Sequence, residues 1–140
     1  MPTFEDATTA DAPVEEVWKL LYDPSRFAEW FQGVERIDPR PHEGRGDYTL
    51  YPAGYPDFPM PQDLRVDASG RQVTISCLVS DLVFAWRLEP VPESDGTRIA
   101  VRVEIPEREA HRLDSQRDVL SASLRALAAA ASSAHRPTAG

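Results

Sequence analysis

Hydrophobic and polar positions divide the chain into three zones of different period. Residues 3–11 carry Phe4 and the β-branched Thr8 and Thr9, which predict a short first strand. A helical period follows: Val14, Val17, Trp18 and Leu21 share one face, Pro13 suits a helix start, and Glu15 and Glu16 stand where the helix dipole favours carboxylates. Asp23 and Pro24 restart the pattern as N-cap and first helical residue. This second short helix carries Phe27, Trp30 and Phe31, and Gly33 stops it.

After Gly33 the period becomes two. Residues 34–38 predict a strand, and a turn through Glu43, Gly44, Arg45 and Gly46 leads into another at 47–51. The segment 52–61 is too rich in proline to sustain central sheet pairing. Beyond it Leu64 and Val66 alternate with Asp63, Arg65 and Asp67; Val73, Ile75, Cys77 and Val79 alternate with Thr74 and Ser76; Leu82, Phe84, Trp86 and Leu88 alternate with Ala85, Arg87 and Glu89. Ile99, Val101, Val103 and Ile105 form the clearest alternation, against Arg98, Ala100, Arg102 and Glu104. Successive hairpins with one apolar and one polar face imply an antiparallel sheet wetted on one side.

From 107 to 133 the period is helical again, in one long run whose stripe is Leu113, Leu120, Leu124, Leu127 and Ala131. A long amphipathic helix must bury its stripe, and a sheet with one apolar face must cover that face. Each answers the other's need, with the two short helices plugging one end, which predicts an α+β domain over 1–134 and a frayed tail at 135–140.

Composition narrows the setting. The 140 residues include 41% hydrophobic ones, enough for a single core. With 15 basic against 23 acidic residues the net charge is −8, which argues against nucleic acid and anionic membrane surfaces as partners. One cysteine, Cys77, excludes an internal disulfide framework and suits a reducing compartment. The acidic start has no basic and apolar leader, and no apolar run reaches the roughly 20 residues of a membrane span. A cytoplasmic location without membrane insertion is therefore expected.

The order of elements is familiar once these residues are read together. Ala12, Pro13, Val14, Val17 and Trp18 at the first helix, then the run Asp23-Pro24-Ser25-Arg26-Phe27-Ala28-Glu29-Trp30 and the pair Gly33-Val34, resemble the START-like superfamily. That superfamily (SRPBCC) includes birch-pollen-allergen-like proteins and bacterial polyketide cyclases/dehydrases. The resemblance covers nearly the whole chain and implies a helix-grip fold: a bent antiparallel sheet wrapped around the C-terminal helix, enclosing a cavity for a hydrophobic small molecule. It implies no particular reaction, because members act as carriers, sensors, co-chaperones or cyclases.

By alternation the cavity would be lined by Leu64, Cys77, Phe84, Trp86, Val101 and Val103 of the sheet and Leu113, Leu120 and Leu124 of the helix, an apolar surface of the kind small-molecule pockets present. The same side chains would equally serve as a filled core. Trp30 is expected at the cavity rim on the strength of the resemblance. Tyr48 stands beside the proline-rich segment 52–61 and Phe58 within it, and this segment could act as a lid or protect a sheet edge. For chemistry the candidates are Tyr51, Gln116 and Arg117, any of which could polarise a ligand carbonyl, although Arg117 could also lie along apolar surface with its head in water.

Metal binding is disfavoured, since His42, His111 and His135 fall in a loop, on the outer side of the long helix and in the tail. Cys77 sits in an apolar alternation where thiols are inert, and no motif calls for a cofactor. The function expected is binding of a polyketide- or aromatic-like molecule in an internal cavity by a monomer or homodimer, with polyketide cyclase, aromatase or dehydrase activity possible on the same scaffold. A non-catalytic lipid carrier or sensor and a co-chaperone-like interaction module are the alternatives.

Overall fold

Strand β1 (Thr3–Ala10) leads into helix α1 (Val14–Leu21), a 3₁₀ helix (Pro24–Glu29), strands β2 (Val34–Asp38), β3 (Tyr48–Pro52), β4 (Met60–Asp67), β5 (Gln72–Cys77), β6 (Val83–Pro90) and β7 (Thr97–Glu104), a second 3₁₀ helix (Glu107–Arg112) and helix α2 (Leu113–His135). The structure is a computed structural model and describes residues 2–135. The tail expected at 135–140 lies outside the described residues apart from His135, the last residue of α2.

The seven strands form one antiparallel sheet in the order β1-β7-β6-β5-β4-β3-β2. Consecutive strands from β2 to β7 are neighbours, and only β1 joins out of sequence, against β7. Cross-strand register puts Leu64 beside Ile75, Ile75 beside Phe84, Phe84 beside Val103 and Val103 beside Phe4. That row runs across five strands on one face, as the period-two reading requires. Helix α2 lies on this face and buries Leu120, Leu124, Leu127, Ala128 and Ala131. A bent sheet gripping one long helix is the helix-grip fold.

Three local features differ from the sequence reading. The run from 107 to 133 is two elements: a 3₁₀ turn that brings the chain round after Pro106, then α2, so His111 sits in the turn and not on the long helix. The second short helix is a 3₁₀ helix that ends before Trp30 and Phe31. The proline-rich segment overlaps the sheet by three residues, because β3 ends at Pro52, β4 begins at Met60 and Pro61 pairs with Thr49. Proline is tolerated there at the start of the strand, and its carbonyl still accepts the Leu78 N–H at 3.0 Å.

Side chains close the joints between elements. Asp23 caps the first 3₁₀ helix by accepting from the Ser25 N–H at 3.0 Å. The Leu20 carbonyl near the end of α1 has no intrahelical donor, since the residue four ahead is Pro24. Trp30 fills that vacancy, its indole Nε1 donating to the Leu20 carbonyl at 2.9 Å. Two serines of α2 anchor the preceding loops: Ser123 Oγ accepts the Gln32 N–H at 2.9 Å, and Ser132 Oγ accepts the Asp11 N–H at 3.1 Å.

Candidate functional site

Gly33 ends the aromatic segment with φ +83°, a conformation glycine adopts without strain, and turns the chain into β2. Between this turn, the β3–β4 hairpin, the β5–β6 connection and the start of α2 lies a cavity of about 130 Å³, open on one side. Its apolar wall is Phe31, Leu50, Leu82, Phe84 and Val119. Its polar groups are Gln32, Gln62, Ser80, Arg112 and Gln116, with the Cys77 thiol beside them.

Strand register explains the meeting of Gln62 and Cys77. Tyr48, Gln62 and Cys77 pair in sequence across β3, β4 and β5, so all three face the helix side of the sheet. Gln62 is buried, and its Nε2 donates to the Met60 carbonyl at 3.2 Å, which leaves the amide oxygen without a donor among the described residues. Arg112 closes the last turn before α2 and donates to Glu109 at 3.4 Å, a long and weak contact for a charged pair. Gln116, one turn further on, has no side-chain hydrogen bond among the described residues.

The residues singled out from sequence are divided by this geometry. Cys77, Phe84 and Gln116 line the cavity. Trp30, Tyr48, Trp86, Val101, Val103, Leu120 and Leu124 are buried in the packed core, and Leu64 and Leu113 are half-buried at its margin. Phe58 is half exposed in the segment between β3 and β4. Tyr51 sits on the opposite face of β3 from Leu50, under the Arg36 guanidinium at 3.6 Å from the ring centre. Arg117 lies over the Phe4 ring at 5.4 Å, next to β1.

Phe31, Gln62, Ser80, Arg112 and Val119 line the cavity and were not anticipated. Gln62 carried a signal, since it has the same parity as Leu64 and Val66. Arg112 stands four residues before Gln116, a spacing that puts both on one side of a helical turn.

The core beside the cavity is a block of rings. Trp30 meets Trp86 edge to face at 5.2 Å, Phe27 meets Trp30 at 5.5 Å and Tyr48 at 5.8 Å, and Phe31 stacks on Trp30 at 5.2 Å. Two polar atoms inside this block have no partner among the described residues: the Trp86 indole Nε1 and the Tyr48 hydroxyl. Burial pushes the Tyr48 phenol well above its ordinary value of 10.0, with Cys77 and Asp47 adding to the shift.

A second concavity of about 460 Å³ runs along the outer face of the sheet. Its floor includes the small residues Ala7, Ala85 and Ala100, and its walls carry Arg87, Arg98, Arg102 and Glu5. This polar trough suits a hydrophobic ligand less well than the inner cavity does.

Comparison with known proteins places the chain. The family model described as polyketide cyclase / dehydrase and lipid transport matches residues 1–132. A search of the curated proteins finds no match. Among solved structures, the Zhui aromatase/cyclase from Streptomyces sp. R1128 superposes with a TM-score of 0.78 at 18% identity, covering 99% of this chain and 98% of that one. One half of the di-domain aromatase/cyclase BexL from the BE-7585A biosynthetic pathway gives 0.76 at 19% identity; 98% of this chain is covered and 48% of BexL. A protein from Nitrosospira multiformis gives 0.75 at 19% identity, covering 96% of this chain and all of that one. At these identities the likeness shows the shared fold.

Proposed function

Because the chain belongs to the polyketide cyclase / dehydrase and lipid transport family, we propose that it binds a hydrophobic, aromatic or polyketide-like small molecule in the cytoplasm, inside the cavity between the sheet and α2. The observation that carries this reading is the lining itself: an apolar wall with a few hydrogen-bonding groups at one side, the usual composition of a small-molecule site. No helix among the described residues is long and apolar enough to cross a membrane.

Binding is favoured over acid–base catalysis by what the lining holds. Among the described residues it contains no His, Asp, Glu, Lys or Tyr, so no ordinary proton acceptor faces the ligand. A cyclisation on this scaffold would rest on holding a flexible chain in a reactive shape, with Arg112 and Gln116 donating to a carbonyl oxygen as enolate charge develops and the α-proton passing to solvent water at the open side. Tyr51 and Arg117, which face elsewhere, have no part in that scheme.

The test is native mass spectrometry of the purified protein, with extraction and identification of any bound molecule, followed by titration with aromatic polyketides, fatty acids and sterols. A bound small molecule displaced by one of these supports the reading. No adduct and no binding from any of them overturns it.

A further inference from the structure

We infer that the cavity selects a single-ring aromatic carboxylate over fused polycyclic or neutral ligands; this deepens the binding reading above and rests on it. Size comes first. The depth of the space between sheet and helix is occupied by Phe27, Trp30, Tyr48 and Trp86, each no more than 1% exposed and locked edge to face. Beside this block, at the Gly33 end, lies the space of about 130 Å³. A cavity of roughly 150 Å³ takes up benzene, whereas pockets for drug-sized ligands begin near 300 Å³. One ring fits without rearrangement, and two or three fused rings would have to displace members of the aromatic block or leave the extra rings outside, away from the apolar wall.

The wall and the rim then assign the two ends of the ligand. Phe31 and Phe84 stand edge to face at 6.0 Å, and with Leu82 and Val119 they offer an apolar, aromatic surface for the ring. At the other end Arg112 is the one charged residue in the lining, with no carboxylate among the lining residues. Among the described residues one of its nitrogens is engaged, by Glu109 at 3.4 Å, so the rest of its planar fork can donate to an anion. Gln116 adds an uncommitted amide beside it. Donors outnumber acceptors at the rim, which fits a head group with two acceptor oxygens.

Calorimetric titration of the full chain with benzoate, phenylacetate, toluene, 2-naphthoate and anthracene-2-carboxylate tests both parts. Benzoate or phenylacetate should bind at least tenfold tighter than toluene and than either fused acid. Arg112→Gln should weaken the one-ring acids tenfold or more and erase their advantage over toluene, as expected for loss of a charged hydrogen bond. Gln116→Leu should weaken them less. Fused acids binding as tightly as benzoate would overturn the size assignment. Equal binding of benzoate and toluene, or an unchanged affinity in Arg112→Gln, would overturn the carboxylate assignment. If none of the five binds while a fatty acid, sterol or polyketide does, this inference fails and the binding reading survives; if nothing binds in either series, both fail.

Discussion

The backbone N–H of Gln32 donates to Ser123 Oγ at 2.9 Å, across 91 residues of sequence, and the same hydroxyl donates to the Val119 carbonyl at 2.7 Å. One serine therefore ties the turn at Gly33 to α2. Gly33 and Val119 are both cavity residues, and a Cβ on Gly33 would sit 3.7 Å from the Val119 side chain. That bond joins the two walls of the cavity at this end.

Ser123→Ala should cost about 1–2 kcal/mol, because a part-buried backbone N–H loses its acceptor while little volume changes. Urea unfolding measures the loss. Amide exchange at Gln32 should accelerate more than exchange at residues of β5 or β6, and equal acceleration throughout would show that the serine acts on global stability alone.

Gly44 and Gly46 separate backbone conformation from close approach. Both have positive φ, +76° and +78°, in the same turn before β3. A Cβ on Gly44 meets nothing within 4 Å, whereas one on Gly46 falls 2.7 Å from the Gln62 carbonyl oxygen and 2.9 Å from the Gln62 nitrogen. Gly44→Ala should therefore cost only the left-handed strain, about 1–2 kcal/mol. Gly46→Ala should cost clearly more and disturb Gln62 at the cavity, since the obstacle is backbone that cannot rotate away. Unfolding midpoints of the two variants check the order, and equal losses would contradict it.

Much of this arrangement was legible in the pattern of the chain. Alternation in β5, β6 and β7 identified the inward side chains because one sheet face is wet and the other meets α2, so polarity records direction. What alternation does not record is depth. Trp86 and Phe84 share a face of β6, yet Phe84 lines the cavity and Trp86 is packed behind it, a difference that depends on how far Trp30 and Phe31 reach across from another element. Gln62 shares the parity of Leu64 and Val66, but as a polar residue just after Pro61 it is passed over when only apolar positions are taken to face inward. Arg112 was read as part of one long helix, and the 3₁₀ turn that ends at it left no mark in the periodicity.

Trp30 and Trp86 test the value of a satisfied buried indole. Both are buried to 1% or less, but Trp30 Nε1 donates to the Leu20 carbonyl while Trp86 Nε1 has no partner. Trp→Phe at either site removes similar volume. Trp30→Phe also strands the Leu20 carbonyl, whose helical donor is already missing at Pro24, whereas Trp86→Phe removes an unpaired donor from the core. Trp30→Phe should be the more destabilising by about 1–2 kcal/mol. Equal unfolding free energies would show that the Leu20 bond contributes nothing net.

Tyr48 makes the stability of the fold sensitive to alkali. Burial raises its phenol well above the ordinary value of 10.0, and its hydroxyl has no partner in the native state. A group whose folded pKa is raised contributes stability that is present below the unfolded pKa and is lost as pH rises beyond it. The native protein must keep Tyr48 protonated, while the unfolded chain can ionise it near pH 10, so unfolding becomes progressively easier above that point. Tyr48→Phe removes this linkage without breaking a hydrogen bond. At neutral pH the variant should be about as stable as the parent, and between pH 10 and the alkaline transition it should be the more stable of the two, with its unfolding midpoint displaced to higher pH. The other tyrosines, Tyr22, Tyr51 and Tyr55, are half-buried or exposed, so each should leave the alkaline limb in place when changed to Phe. Unfolding followed by circular dichroism, together with the absorbance of the phenolate, checks the order of events: Tyr48 should ionise with unfolding and not before it.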